Sequence, residues 1–95
     1  KGIYKYDSRN NPIEISWYNE DGKLSEKDIY KYDSRNNRIE MYSYNEYGKL
    51  SNKGIYKYDS RNNPIEFLMY EIKDQFGYDQ EILTFKEIYE YEYYD

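Results

Sequence analysis

Neither cysteine nor histidine occurs in this 95-residue chain. The first absence removes disulfides and thiolate chemistry, although it assigns no compartment. With both missing, catalysis would have to rest on a carboxylate pair or an activated serine. A basic excess is lacking too: 14 Lys and Arg stand against 19 Asp and Glu, for a net charge of −5. No cationic field is available to neutralise a phosphate backbone, which argues against nucleic acid as a partner. No apolar run approaches the roughly 20 residues of a membrane-spanning helix, and no signal-type apolar segment is present. Apolar residues reach only 38% and mean hydropathy is −1.29, values that by themselves lean toward disorder.

What the chain does contain reverses that lean. Sixteen Tyr, three Phe and one Trp make it 21% aromatic, and aromatic side chains bring large buried area and a preference for strands. A domain of this size buries only about 60–65% of its unfolded surface. The expectation is therefore a folded, tyrosine-cored β protein with a thin core.

The nine residues IYKYDSRNN occupy positions 3–11, 29–37 and 55–63, always 26 apart. Residues 3–28 align with 29–54 with scattered differences, and each unit divides into related halves, YDSRNNPIE and YNEDGKLSE. One unit is thus two strands and two turns. Asn10-Asn11 and Asp21-Gly22 mark the turns, because Asn, Asp and Gly enter left-handed conformations cheaply. The pattern predicts an all-β antiparallel meander of β-hairpins, a single twisted sheet or partial shell segment. It forms one domain over 1–95, with units 3–28, 29–54 and 55–78 and an atypical capping segment at 79–95. KGIYKYD at 1–7 repeats at 53–59, so the chain reads as a piece of a longer array.

Charge suggests the register. If Tyr6 faces Ile13 across the SRNN turn, Lys5 faces Glu14, Lys31 faces Glu40 and Lys57 faces Glu66. A four-residue NEDG loop would then set Trp17 opposite Leu24, Glu14 opposite Lys27 and Glu40 opposite Lys53, so that each central Glu lies between two Lys. Cross-strand pairs are worth roughly 0.2–1 kcal/mol each, and a slip of one residue would invert every face. One face then carries Tyr4, Tyr6, Ile13, Ile15 and Trp17 with their counterparts Tyr30, Tyr32, Ile39, Met41, Tyr56, Tyr58, Ile65, Phe67 and Met69. The other carries the Lys–Glu ladder with Ile3, Tyr18, Ile29, Tyr42, Tyr44, Ile55, Leu68 and Tyr70. Glu26 and Asp28 fall on the more apolar face, which signals a bulge or a wetter margin. Three-residue turns with a bulge are the second-ranked arrangement.

After PIEFLMY the last unit departs from the rule: Phe76-Gly77 takes the turn, and about four extra residues precede Ile88. Atypical end repeats cap arrays whose sheet edges would otherwise pair with other chains. Residues 79–94 are expected to form a longer closing strand, made acidic by Glu87, Glu90, Glu92 and Asp95.

YKYDSRNN written three times, with the looser YNEDGK and YNEYGK between, resembles the YD repeats of the Rhs family over about residues 3–70. That resemblance implies a secreted or cell-surface bacterial protein whose successive hairpins build a spiralling sheet. Large relatives, among them toxin-complex components and the animal teneurins, form shells, and carbohydrate binding has been proposed for such repeats. Six or seven strands at 4.8 Å make a slab only about 30 Å wide, too narrow to close.

Candidate sites follow from the same pattern. A ligand-contact face of Tyr4, Tyr6, Trp17, Tyr30, Tyr32, Tyr56 and Tyr58 would stack on sugar rings, with turn Asp and Asn supplying hydrogen bonds. Recurrence in every strand favours Tyr as the core of a thin sheet instead. The DSRNN loops offer oxygen ligands but lack calcium-loop spacing and hold an Arg, so turn chemistry explains them and no metal or cofactor is expected. Glu14, Glu40 and Glu66 would serve as general acids only if uncharged, and flanking Lys favour their ionised form. The leading expectation is a non-enzymatic extracellular repeat module acting as scaffold or adhesion surface toward a protein or glycan. A carbohydrate-binding module is the alternative, and homo-oligomers through sheet edges or faces are the third possibility.

Overall fold

The structure is a computed structural model, described here for residues 1–75 and 77–94. Seven strands, β1 (Gly2–Tyr6), β2 (Pro12–Tyr18), β3 (Leu24–Tyr32), β4 (Arg38–Asn45), β5 (Leu50–Tyr58), β6 (Pro64–Gln75) and β7 (Tyr78–Ile88), form one antiparallel sheet in sequential order. The protein is all-β, a meander of hairpins in a single open layer. Its extents are 56 × 37 × 20 Å, and the smallest is twice the ~10 Å of a flat layer, a measure of how far the sheet leaves a plane.

Both kinds of turn have one design. Asp7 Oδ1 accepts the backbone N–H groups of Arg9 and Asn11, both at 2.9 Å, and Asp33 and Asp59 repeat these bonds. Asn19 and Asn45 do the same for the intervening turns. The fourth residue is left-handed in each: Asn10, Asn36 and Asn62 at φ 66, 70 and 71°, Gly22 and Gly48 at 77 and 79°. Asn tolerates that region and Gly enters it freely, which explains why these two residue types alternate there. Asp7 N–H bonds to Asn11 O and Asn10 N–H to Asp7 O, so the loop is three residues long with a bulge in the strand behind it. This is the second-ranked arrangement, and it corrects the four-residue loops. Asn11 lies outside the left-handed region and uses its side chain elsewhere.

Lys5 pairs Glu14, Lys31 pairs Glu40 and Lys57 pairs Glu66 as expected, while Pro12 takes the place opposite Tyr6 that Ile13 was expected to hold. In the intervening hairpins the register differs from expectation by two residues. Glu14 lies opposite Ile29, Trp17 opposite Glu26, Tyr18 opposite Leu24, Glu40 opposite Ile55 and Tyr42 opposite Lys53. The shorter loop and the bulge at Ser25 account for the two residues; a shift of two leaves the residues beyond the bulge on their expected faces, while Leu24, on its loop side, moves from its expected place opposite Trp17 to one opposite Tyr18 on the other face. Hydroxyls mark each such bulge: Ser25, Ser51 and Thr84 donate to the carbonyls of Trp17, Ser43 and Met69 at 3.1, 3.0 and 3.2 Å.

The ion pairs follow the corrected register. Glu14 receives Lys5 at 3.0 Å and Lys27, now diagonal, at 3.3 Å, and these ammonium groups hold its carboxyl below the ordinary range, Lys5 most strongly. Glu66 lies between Lys57 at 3.4 Å and Lys86 at 3.6 Å. Glu40 has Lys31 at 3.7 Å, while its expected second partner, Lys53, turns to Glu81 at 2.8 Å.

The last unit carries more than four extra residues. Leu83-Thr84-Phe85-Lys86 falls on the positions of Leu24-Ser25-Glu26-Lys27, so Ile88 follows Ile55 by 33 residues, not 26. The surplus lengthens the β6–β7 hairpin, with Gly77 left-handed in its turn. Phe76 of that turn, and Asp95, lie outside the described residues. Closing strand β7 ends at Ile88 and not at 94. Tyr30, Lys31 and Tyr32 are strand residues because β4 pairs them, and among the described residues no strand pairs their counterparts 89–91 in that way.

Candidate functional site: the aromatic face and its loop edge

Strand alternation puts Gly2, Tyr4, Ile15, Trp17, Glu26, Asp28, Tyr30, Met41, Ser43, Gly54, Tyr56, Phe67, Met69 and Phe85 on one face, paired across the six hairpin ladders. Ile15, 8% exposed, is the most deeply buried apolar side chain among the described residues. A single layer cannot bury more. The chain exposes 7066 Å², where a compact 11.8 kDa monomer would expose roughly 5,900 Å².

The seven expected contact residues divide into two groups. Tyr4 and Tyr6 are 45% and 53% exposed. Their rings stack at 6.2 Å, and Tyr4 meets the Trp17 indole edge-on at 6.1 Å. These three form a continuous aromatic patch at the β1–β2 end. Tyr30 instead lies under the Arg38 guanidinium, 4.1 Å from its ring, and burial pushes its phenol up in pKa. Tyr32 donates to Pro12 O at 2.8 Å and Tyr58 to Arg38 O at 2.7 Å. Tyr56 packs against Phe67 at 4.7 Å. These four are half-buried and occupied in structure.

Behind Trp17 lies a buried polar cluster that sequence reading placed only as a disturbance. Asp28, 8% exposed, accepts the Trp17 indole N–H at 3.1 Å and the Ser43 hydroxyl, itself 7% exposed, at 2.8 Å. In the next unit Gly54 replaces Asp28 and Met69 replaces Ser43. There Met41 and Phe67 approach within 3.5–3.6 Å of where a Cβ would sit, so the space is filled without a polar group. The signal was present: Trp17 and Asp28 depart from the repeat together. Arg38, standing where other units have Pro, was a second overlooked signal.

Along one end of the sheet the DSRNN loops bond to one another. Arg9 and Arg35 donate to the carbonyls of Ser34 and Ser60 at 2.9 and 3.1 Å, while the Asn11 and Asn37 amides donate to the side-chain oxygens of Asn36 and Asn62. Beside the third loop, at 59–63, the described residues place no further DSRNN loop. Tyr93 takes its place: its ring lies 3.9 Å from the Arg61 guanidinium, its hydroxyl accepts from Asn63 Nδ2 at 2.8 Å, and it donates to Asp59. That bond, with the Asn63 backbone N–H, lowers the Asp59 carboxyl pKa.

Among the described residues no three His, Cys, Asp or Glu side chains are placed to hold a metal ion. A concavity of about 750 Å³ lies away from the aromatic patch, on the ladder face by Lys1, Ile3, Tyr18 and Asn19. Glu20 and Gly22 complete its lining.

The fold therefore defines an antiparallel hairpin-repeat sheet. Compared with known proteins, the chain matches no family model and no curated protein. Among solved structures it is similar to a protein of unknown function from Bacteroides fragilis, 18% identical over 94% of this chain and 91% of that one, with a TM-score of 0.48.

Proposed function

We propose that this chain is a non-enzymatic repeat module, secreted or at the cell surface, that serves as a scaffold or adhesion surface. The loop ladder carries the reading. The side chains that recur every 26 residues are spent joining one unit to the next, Arg to Ser carbonyl, Asn to Asn and Tyr hydroxyl to carbonyl, and pairing Lys with Glu within each unit. Such employment favours regular spacing over local chemistry. The extracellular part of the proposal rests on the YD-repeat resemblance.

A carbohydrate-binding reading is favoured by one observation, the exposed stack of Tyr4 and Tyr6 beside Trp17. An amide chemical-shift titration against a panel of oligosaccharides separates the two. Dispersed sheet resonances with no response support the scaffold. Saturable shifts confined to Tyr4, Tyr6 and Trp17, abolished by Tyr4→Ala in a folded sheet, would replace it with a glycan-binding module.

A further inference from the structure

Among the described residues three cations are half-buried: Lys27, Arg38 and Lys53. Lys27 meets Glu14 at 3.3 Å and Lys53 meets Glu81 at 2.8 Å. Arg38 is held by tyrosines instead. Its guanidinium lies 4.1 Å from the Tyr30 ring and 5.8 Å from that of Tyr32, whose hydroxyl it reaches at 3.4 Å. Burial weighs most against its charge, but the Tyr32 and Tyr56 hydroxyls together outweigh burial, and its pKa stands above the ordinary value. A guanidinium offers five N–H donors in a planar fork that matches a carboxylate. This one, drawn partly out of water in a chain of net charge −5, pairs with no carboxylate among the described residues.

Beside it the aromatic face is apolar. Tyr30 lies opposite Met41, Met41 opposite Gly54, Gly54 opposite Met69 and Met69 opposite Phe85, one unbroken row from β3 to β7. Tyr56 and Phe67, packed at 4.7 Å, form the next row, and Phe67 meets Phe85 at 5.9 Å. Met41 and Met69 are the chain's two methionines, and they flank the one position of the row that has no side chain. Unbranched thioether chains repack readily around a guest. Phe85, at the end of the row, is 49% exposed. One unit earlier these positions are polar, since Gly54, Met69 and Phe85 follow Asp28, Ser43 and Asn52. On the β6–β7 side the same face carries Glu71 and Glu87, which repel an anionic head there and favour its placement at Arg38.

We infer that this shelf binds an aliphatic monocarboxylate, its carboxylate paired with the Arg38 guanidinium beside Tyr56 and its chain laid across β4 to β7 over Met41, Gly54, Met69 and Phe85. Three strand steps of ~4.8 Å make about 14 Å, the length of roughly ten to twelve chain carbons. The shelf belongs to a face of the sheet, so the assignment does not depend on what adjoins either edge. It is separate from the patch at Tyr4 and Trp17, and it goes beyond both functional readings.

The test titrates the isotope-labelled full chain with decanoate below its micellar range, at about pH 8 where the acid is ionised. Expected are saturable shifts of the Met41 and Met69 methyls and of the Gly54 and Phe85 amides. Arg38→Pro, which restores the residue of the other units, and Arg38→Gln should each weaken binding at least about tenfold in a folded sheet. Decanol should bind weaker than decanoate by a similar factor, and Gly54→Asp should abolish binding. Unchanged affinity in either folded Arg38 variant overturns the inference, as does decanol binding as tightly as decanoate. Shifts centred on Tyr4 and Trp17, or a flat titration of the parent chain, overturn it too.

Discussion

Asp28→Ala probes the feature that sets the first unit apart. The substitution leaves the Trp17 indole N–H and the Ser43 hydroxyl without their acceptor. Each buried donor so stranded costs about 1–3 kcal/mol. Against this, removing a carboxylate that forms no ion pair with any described residue relieves a desolvation penalty of several kcal/mol in the fully buried limit. Asp28 retains 8% exposure and two hydrogen bonds, so much of that penalty is already met. The net expectation is a loss of about 2 kcal/mol, or roughly 10 °C in Tm for a domain of this size. Asp28→Asn keeps an acceptor for Trp17, can donate to the Ser43 oxygen and carries no charge, so it should lie within about 0.5 kcal/mol of the parent. Urea unfolding followed by the fluorescence of the single tryptophan and by circular dichroism measures both. A double-mutant cycle with Ser43→Ala should give a coupling near 1 kcal/mol. Asp28→Ala as stable as the parent, with no coupling to Ser43, would refute the reasoning: desolvation would then outweigh the two bonds.

The corrected register predicts that Glu40→Lys destabilises by roughly 0.5–1 kcal/mol, and that adding Lys31→Glu restores most of it. Adding Lys53→Glu should not, because Lys53 is paired to Glu81; chemical denaturation of the double variants checks this. Burial, then the charge of Asp28, raises the Glu26 carboxyl pKa. A raised acid favours folding below its unfolded pKa and loses that contribution as pH rises through the folded value, so Glu26→Gln should be the more stable protein at pH 7. The gain, roughly 0.5 kcal/mol after solvent screening, should vanish in melts run below pH ~4. Tyr93→Phe removes the hydroxyl that chiefly lowers the Asp59 pKa, and an NMR titration should show that pKa move up. A depressed carboxyl stabilises above its unfolded pKa, and this is lost as pH falls through the folded value. The deficit of Tyr93→Phe should therefore be present at pH 7 and disappear in acid.

Repetition made most of this fold legible. Identical loops every 26 residues gave hairpins, and Lys5, Lys31 and Lys57 with their Glu partners gave the register of three of them. Beyond the bulges face assignment survived a two-residue error in the others, because side chains alternate with period two and an even shift preserves the face; Leu24, on the loop side of the Ser25 bulge, changed face. Loop length was less legible. Whether DSRNN closes over three residues or four depends on which Asn is left-handed, and both can be. The closing strand was read too long because residues 89–94 keep the strand composition of Tyr30–Asp33 while lacking the neighbour that pairs it.

The sequence by itself determined the antiparallel order and the two faces away from the bulges, and the strand count to six or seven, since these follow from local turn chemistry and alternation; the structure has seven. Tertiary structure decided which aromatics stay open. Tyr4 and Tyr6 are exposed and their copies Tyr30, Tyr32, Tyr56 and Tyr58 are not, although the flanking residues are the same. The difference lies in the neighbour: among the described residues β3 and β5 have a strand on each side, and the Tyr32 and Tyr58 hydroxyls reach a carbonyl there, whereas β1 pairs with β2 alone. Exposure, capping by Tyr93 and the burial of Asp28 belong to position in the array, which a repeated letter does not encode.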